Sequence, residues 1–481
     1  MQRRFFVRTG VLGTLGAGLQ GRAEQKSPSL NVQGANSDLQ VVVCGVRSRG
    51  WWHLESVVKA AGARLIGICD CDLAFAKQRR AQIERRHGLK GLRVFQDFRE
   101  VCADPGVDVV TVCTPNHTHA LIALTAAAAG KHVYVEKPVS HNLREGELLA
   151  IAAEKYGVVM THGFQRRSET AWIEAVARVR DGELGEVLEA KALCFNPRKP
   201  IGKVMGPTPV PPECDHSLWT GPRELKPVFR QQYHYDWHWQ RDFGNGDIGN
   251  QAPHQLDVCR WVTGDEEKWP RKVTAGGARI GLNDDGNTPN TALARMEQGE
   301  GRAPITLELR GLPKANRDWR SGMEERYGIS VGNVIRCEGG LLIGPHRPNC
   351  WFQDHDGKIL RRFEGSENHM VRFLSDIRRG TQEKRHKLKS GHLTTSLAHL
   401  INLAIAQPGG LSWEETALEK EAAQVIGQDE HLAANGLTSK EFGLAKEITT
   451  TSGTVRNSNG EVIDLKAGDR YRTGFSLPNV G

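Results

Sequence analysis

Leu39-Gln40-Val41-Val42-Val43-Cys44-Gly45-Val46-Arg47-Ser48-Arg49-Gly50-Trp51-Trp52-His53-Leu54 is the stretch whose reading decides the fold. Its first six residues are the β-branched run that a buried parallel strand uses. A glycine-bearing turn follows, and Trp51 to Leu54 opens a helix. Strand, glycine turn and helix together give a G-x-G-x-x-G dinucleotide fingerprint its meaning. Gly45 and Gly50 stand at the first and third glycines, and Arg47 stands at the second. That second glycine lets backbone approach a pyrophosphate. Arg47 would either pair with a phosphate there or block the site.

The same logic repeats downstream. Ala63 to Asp70 is a second apolar run ending in an acid 20 residues after Gly50. An acid there suits adenosine ribose hydroxyls and favours NAD, although it can also cap the next helix. Asp72 is better placed for that cap before a helix over Leu73 to His87, which leaves Asp70 free for ribose. Arg79 or Arg80 would tolerate a 2′-phosphate, so NADP stays open. Val107 to Cys113 is a further strand, followed by Thr114-Pro115-Asn116-His117-Thr118-His119, an Ala-rich helix over Ala120 to Ala129, and Gly130 as its stop. Strand Lys131 to Val135, a helix over Leu143 to Tyr156 and strand Val158 to Thr161 complete the pattern. Alternating strands and helices of this length predict a right-handed, doubly wound parallel sheet.

Tyr134-Val135-Glu136-Lys137-Pro138-Val139-Ser140 puts a lysine just past a strand's carboxyl end. Ligands of open α/β sheets sit outside those ends. Pro138 withholds a backbone donor and restricts Lys137, so the turn is stiff and the lysine aimed.

After Arg167 the pattern changes to half-buried, strand-like runs such as Val187 to Leu193. A long Pro-rich loop, Pro197 to Pro212, precedes the aromatic cluster Tyr233-His234-Tyr235-Asp236-Trp237-His238-Trp239, which suits sugar stacking or core packing equally. A second chemical centre is Gly244 to Asp257. Pro253 fits only a first helical turn, so a helix begins near Gln251 and sets Asn250 and His254 about one turn apart. Asp257, a turn further on, would orient the His254 imidazole. Alternatively Asn250 is a helix cap and His254 a core histidine. Strand patterns between Ile329 and Leu342, an amphipathic helix in Asn368 to Gly380 and another over His392 to Asn402 follow, with His369 and His392 as minor site candidates. Beyond Pro408 a helical run, Trp413 to Val425, precedes a Gly/Ser/Asn-rich stretch from Thr450 expected to be loosely ordered.

The chain has 481 residues, a net charge of +8 and ten dispersed cysteines. Its basic residues are scattered, which argues against a nucleic-acid partner. No cysteine or histidine spacing suggests a metal site. Met1-Gln2-Arg3-Arg4-Phe5-Phe6-Val7-Arg8, a short apolar run and the small residues near Gly21 to Ala23 match the twin-arginine export pattern. A folded, cofactor-loaded, periplasmic protein with no membrane anchor after signal cleavage is the expectation.

The G-x-x-x-R-G turn, Thr114 to His119, Gly130-Lys131-His132-Val133, Glu136-Lys137-Pro138 and Gly163-Phe164-Gln165-Arg166-Arg167 come in one order. In that order the chain resembles the Gfo/Idh/MocA family of oxidoreductases, over roughly Leu39 to Gln407. The resemblance implies a Rossmann domain followed by an α+β domain with a large, open, mostly antiparallel sheet. The divisions read as 1–30 signal and linker, 38–166 NAD(P)-binding domain, 167–407 substrate and oligomerisation domain, and 408–481 extension. It implies cofactor contacts at Gly45, Arg47, Arg49, Gly50, Asp70, Thr114, Pro115, Asn116, His119, Glu136, Lys137 and Gln165, and catalysis by Lys137, His254 and Asn250. Many members carry aspartate at the Asn250 position, and an amide can place a hydroxyl but not take its proton. The implied activity is hydride transfer between NAD, or NADP, and a secondary hydroxyl of a sugar or polyol by a homo-oligomer. Redox-assisted glycosidic cleavage and a non-catalytic sugar-binding protein are the alternatives.

Overall fold

The structure is a computed structural model. It describes residues 38–406 except 265–268 and 316–317, then 446–451, 454–457 and five single positions between 462 and 478. The twin-arginine segment and the expected helix Trp413 to Val425 lie outside the described residues.

Two sheets are present. The first contains β1 (Leu39–Cys44), β2 (Ala63–Cys69), β3 (Arg93–Phe95), β4 (Val109–Val112), β5 (His132–Val135) and β6 (Met160–His162). Their spatial order is β3-β2-β1-β4-β5-β6, all parallel. That is the doubly wound order, whose switch point lies between β1 and β4. Between the strands run α1 (Ser48–Lys59), α2 (Leu73–His87), α3 (Phe98–Ala103), α4 (Asn116–Ala128) and α5 (Leu143–Lys155). Asp72 caps α2 by accepting from the Phe75 amide, and Gly88 ends it in the left-handed conformation. Helix α4 begins at Asn116, earlier than its alanine run suggests, because Pro115 serves as the cap.

The second sheet has ten strands: β7 (Val187–Phe195), β8 (Lys272–Ala278), β9 (Thr291–Glu297), β10 (Ile305–Arg310), β11 (Val331–Cys337), β12 (Gly340–Pro345), β13 (Asn349–Gln353), β14 (Ile359–Glu364), β15 (Lys446–Thr451) and β16 (Thr454–Asn457). Only the β7–β10 pair is parallel. Helices α6 (Thr170–Arg180), α7 (His216–Thr220), α8 (Gly246–Asn250), α9 (Ala252–Val262), α10 (His369–Arg379) and α11 (Leu388–Ala406) complete the described elements. Trp172 on α6, Leu256 on α9 and Ile401 on α11 bury against one face of this sheet.

Packing departs from chain order twice. Helix α10, inside the 167–407 stretch, buries Met370, Phe373, Leu374 and Ile377 against the first sheet's core. Each such side chain contributes roughly 1.5–3 kcal/mol by leaving water. The C-terminal extension is also not loose throughout. Strand β15 pairs with β8, β16 pairs with β15, and Phe475 is buried in the first sheet's core. The Gly/Ser/Asn-rich composition concealed these contacts because an edge strand needs backbone pairing more than apolar side chains.

Candidate active site

A cavity of about 660 Å³ opens at the carboxyl ends of the first sheet's strands. That volume suits a small-molecule or cofactor site. Its floor is the β1–α1 turn. Gly45 has φ +80°, and a Cβ there would lie 2.7 Å from the Cys113 carbonyl carbon. A Cβ on Gly50 would lie 1.8 Å from the Gly45 oxygen. Both glycines are therefore demanded by the chain's own packing.

Arg47 does not fill the turn. Its guanidinium swings aside to Asp72, 2.7 Å away, and lies 3.9 Å over the Phe75 ring. Arg49 donates to Glu136 at 2.6 Å and covers Trp52. Arg47 Nε and Arg49 Nη2 are nonetheless buried without a hydrogen-bond partner. Two cations with spare donors, at the N-terminus of a 12-residue helix, form a donor-only cradle. Such a cradle fits a diphosphate. Asp70 accepts from the Val46 and Asp72 amides, both at 3.1 Å. It is therefore less free than its position in the sequence suggests. A carboxylate has about four lone-pair sites; the two amides and the Cys71 thiol, 3.9 Å from Oδ1, take three and leave one for a ribose hydroxyl. Burial pushes its carboxyl above the ordinary range.

The lysine turn lies at the other end. The Lys137–Pro138 peptide is cis. Glu136, 3 % exposed, accepts from Arg49 Nε, His53 Nε2, Gln165 Nε2 and the Lys137 amide at 2.6–3.1 Å. Burial works to raise its carboxyl, but Arg49 and His53 hold it well below the usual range. Its charge is committed beneath the cavity. His119 ties the lysine turn to the Thr114 turn, with ring nitrogens 2.7 Å from the Thr114 and Pro138 oxygens. Asn116 donates to the Asn245 side chain at 3.0 Å, linking that turn to α8.

Lys137 Nζ reaches across to Asn250, 2.5 Å from its backbone oxygen and 3.2 Å from its side-chain oxygen. Burial lowers the lysine to about 8, and Glu136 opposes the fall. Asn250 in turn donates to Asp247, which is buried and paired with Arg198 at 2.9 Å. Helix α9 begins at Ala252 with Pro253 in its first turn, as expected. His254 is half-buried, edge-on to Phe164 and 5.1 Å from the His346 ring. Burial first, then Lys137 and His346, hold this imidazole neutral, well below its ordinary value. The structure thus brings Asn250, on α8, to Lys137 in the cavity, while His254, on α9, packs on Phe164 and His346 and is not among the cavity-lining residues.

Asp257 does not orient His254. Both its oxygens take Arg167 at 2.8 Å, and Thr394 donates to it as well. Both partners are at most 1 % exposed at the side chain, and a buried guanidinium needs that carboxylate. His369 and His392 are also away from the cavity. His369 packs on Tyr134 and bonds to Ser168 and the His162 carbonyl, and His392 lies beside Ser396 within α11. Of the aromatic cluster, Tyr233, Trp237 and Trp239 are core, while Tyr235 is 47 % exposed on the cavity wall.

Asp247, Arg198, His238 and His346 went unnoticed in the sequence. His238 had a signal in the aromatic cluster. His346, which accepts from Arg166 and Gln255, sits beyond β12 with no motif around it. Among the described residues no His, Cys, Asp and Glu group could hold a metal, and no helix is long and apolar enough to cross a membrane.

Residues 39–164 match the family model described as "Oxidoreductase family, NAD-binding Rossmann fold". Over these residues the N-terminal domain is similar to the NAD-binding Rossmann domain of that oxidoreductase family. The chain is 32% identical over 154 residues to scyllo-inositol 2-dehydrogenase (NAD(+)) of Bacillus subtilis, covering 32% of this chain and 43% of that protein. It is 27% identical over 313 residues to levoglucosan dehydrogenase of Pseudarthrobacter phenanthrenivorans, covering 62% and 65%. The chain therefore spans less than two thirds of the length of these relatives. A solved structure of the WlbA dehydrogenase from Bordetella pertussis, in complex with NADH and UDP-GlcNAcA, matches with a TM-score of 0.55 at 17% identity, covering 77% of this chain and 98% of that one. That likeness establishes the shared fold.

Proposed function

We propose that the protein is an NAD-dependent dehydrogenase acting on a secondary hydroxyl of a sugar, polyol or sugar derivative. The observation that carries this reading is the Lys137–Asn250 contact at the end of the cavity opposite Asp70, with His254 in the first turn of the next helix. The names of the inositol and levoglucosan relatives support the substrate class. When bound, NAD supplies the acceptor for the hydride. Arg47, Arg49, Gly45 and Gly50 would hold its diphosphate and Asp70 its ribose. Thr114, Pro115, Asn116, His119 and Glu136 line the cavity towards Lys137, and Gln165 supports Glu136 from behind at 3.1 Å. Arg79 keeps NADP as a second acceptable cofactor.

The carbinol proton must leave as the hydride does. His254, held neutral, is the acceptor. Lys137, as an ammonium, stabilises the developing alkoxide, since Asn250 and Glu136 fix it in place. Asn250 offers no base, so proton removal falls to the imidazole.

The test is to incubate the purified chain with NAD and a panel of inositols, levoglucosan, aldoses and glycosides. NADH is followed by absorbance and products by mass. NADH formation with any polyol or sugar, lost in Lys137→Ala, is the expected result. Failure of every substrate with a protein that binds NAD overturns it. One observation favours a second reading, redox-assisted cleavage without net NADH. Residues from Glu213 to His238 lie over the cavity and hold to the first domain, which suits a cofactor that stays bound between turnovers. A cleaved glycoside without NADH would select it. Export by the twin-arginine route to the periplasm, and a homo-oligomer built on the open sheet, belong to the same proposal. Fractionation and light scattering test them.

A further inference from the structure

A strap that follows β7 crosses the Asp70 end of the cavity. Leu73 donates its amide to the Glu213 oxygen at 3.0 Å, and Asp215 donates to the Cys71 oxygen at 2.9 Å. Between them Asp72 and Cys214 form an antiparallel bridge. Gln96 Nε2 donates to both the Cys71 and Glu213 oxygens. Cys214 packs in a small cluster with Trp219 and Tyr233, and Cys71 lies against it. This backbone pairing sets Cys71 and Cys214 side by side, with the Cys71 thiol donating to Asp70 Oδ1 at 3.9 Å. All ten cysteines are free.

We propose that Cys71 and Cys214 are a disulfide-forming pair whose closure staples the strap over the adenosine end of the cofactor cavity. This rests on the NAD-binding domain and not on the sugar chemistry. A second cysteine pair, Cys44 and Cys69, lies on neighbouring strands. These face each other in the β1–β2 register, 1 % and 4 % exposed. Bridging them would have to bend two central strands of a six-stranded sheet. Cys214 sits instead on an isolated bridge to Asp72, the residue after Cys71, outside both sheets, where backbone can adjust. Cys71 is half-buried and lines the cavity, so a reagent reaches it through the cofactor's own space.

The oxidant is a low-molecular-weight disulfide. One protein thiolate attacks a reagent sulfur, forming a mixed disulfide and releasing one reagent thiol. The second protein thiolate attacks the mixed disulfide and expels the other reagent thiol. The protein gives up two electrons and two hydrogens, and the reagent disulfide becomes two thiols. The neighbouring Cys214 thiol, and then burial, keep the Cys71 thiol protonated, which slows the first step.

The test treats the full chain with oxidised glutathione, with and without saturating NAD. Remaining thiols are alkylated, and the peptides are mapped by mass. The expected product is a Cys71–Cys214 linked peptide that forms more slowly with NAD present. NAD release from the oxidised protein should slow by about tenfold, equivalent to about 1.4 kcal/mol. In Cys214→Ser, oxidant should leave the release rate unchanged. A Cys44–Cys69 peptide, or separate glutathione adducts on Cys71 and Cys214, would overturn the pair. A linked peptide with unchanged NAD release would overturn the staple. The peptide map is read without substrate, so its failure is distinct from failure of the dehydrogenase reading.

Discussion

At the Lys137 end of the cavity, the meeting groups come from a few compact segments, Glu136 to Pro138, Gln165, and Asn250 to His254, and their polar atoms are mostly spent on one another. At the Asp70 end, Arg47 and Asp72 meet His234, which arrives on the strap, and two arginine donors remain unpaired. The first end is preorganised for a charge that develops during reaction. The second holds donors in reserve for an anion that arrives. Changes at the first end should therefore alter rate, and changes at the second should alter cofactor affinity.

The largest expected effect is at Lys137. Lys137→Ala should lower turnover by about a thousandfold, while the dissociation constant for NAD, measured by calorimetry, stays within about threefold. A collapse of NAD affinity would break the division of labour. The same lysine sets a pH signature. With its pKa lowered to about 8, the ammonium that stabilises an alkoxide is lost as pH rises through about 8, so kcat/KM should decline above that point. Growth of kcat/KM up to pH 10 would make the neutral amine the working form.

Glu136→Gln sharpens the same end. Arg49 and His53 would face an amide in place of a buried carboxylate. Removing one partner of a buried pair costs about 3–5 kcal/mol, to be read by urea unfolding. Glu136 raises the Lys137 pKa, so its loss should also move the alkaline decline to lower pH.

How legible each end was follows from where its contacts lie in the chain. Glycine, proline and cap signals act within a few residues, so Gly45, Gly50, Asp72, Pro253 and the strand-ending lysine could be read directly, and the parallel sheet with them. Asp257 failed as a helper of His254 because sequence spacing places a carboxylate one turn away but says nothing of Arg167, which claims it from 90 residues earlier in the chain. The pairing of Arg47 with Asp72 and His234 was equally hidden. It depends on the Pro-rich loop and the strap returning over the first sheet, a contact with no local pattern. Strands β15 and β16 escaped for the same reason.

Acid tests the Lys137 end from behind. His369 and His399 are buried and lowered to about 4 from 6.5, chiefly by burial. One packs on Tyr134 and the other on Ser140, flanking the lysine turn. Because the folded values are depressed, the unfolded chain takes up protons first as pH falls below 6.5. Stability should therefore decline from about pH 6.5 down to about pH 4, by roughly 1.4 kcal/mol per pH unit for each histidine. Urea midpoints at pH 7 and pH 5 measure it. Equal midpoints would mean these imidazoles are not buried in the folded protein.

The smallest effect decides whether the strap belongs to the cofactor end alone. His234 Nε2 lies 3.0 Å from Asp72, and burial, with Arg47 beside it, keeps the ring neutral, near 4. A neutral imidazole donating to a carboxylate contributes about 1.5 kcal/mol. His234→Ala removes that tie but leaves the backbone bridge around Cys214 in place. The strap should lift part of the time, and NAD affinity should weaken by about three- to tenfold, with turnover at saturating NAD within about twofold. Reduced turnover with unchanged affinity would invert the assignment and make the strap part of the substrate wall, through Tyr235 and His238 on the same segment. That outcome would join the two ends, because Tyr235 and His238 line the same cavity as Lys137 and Asn250.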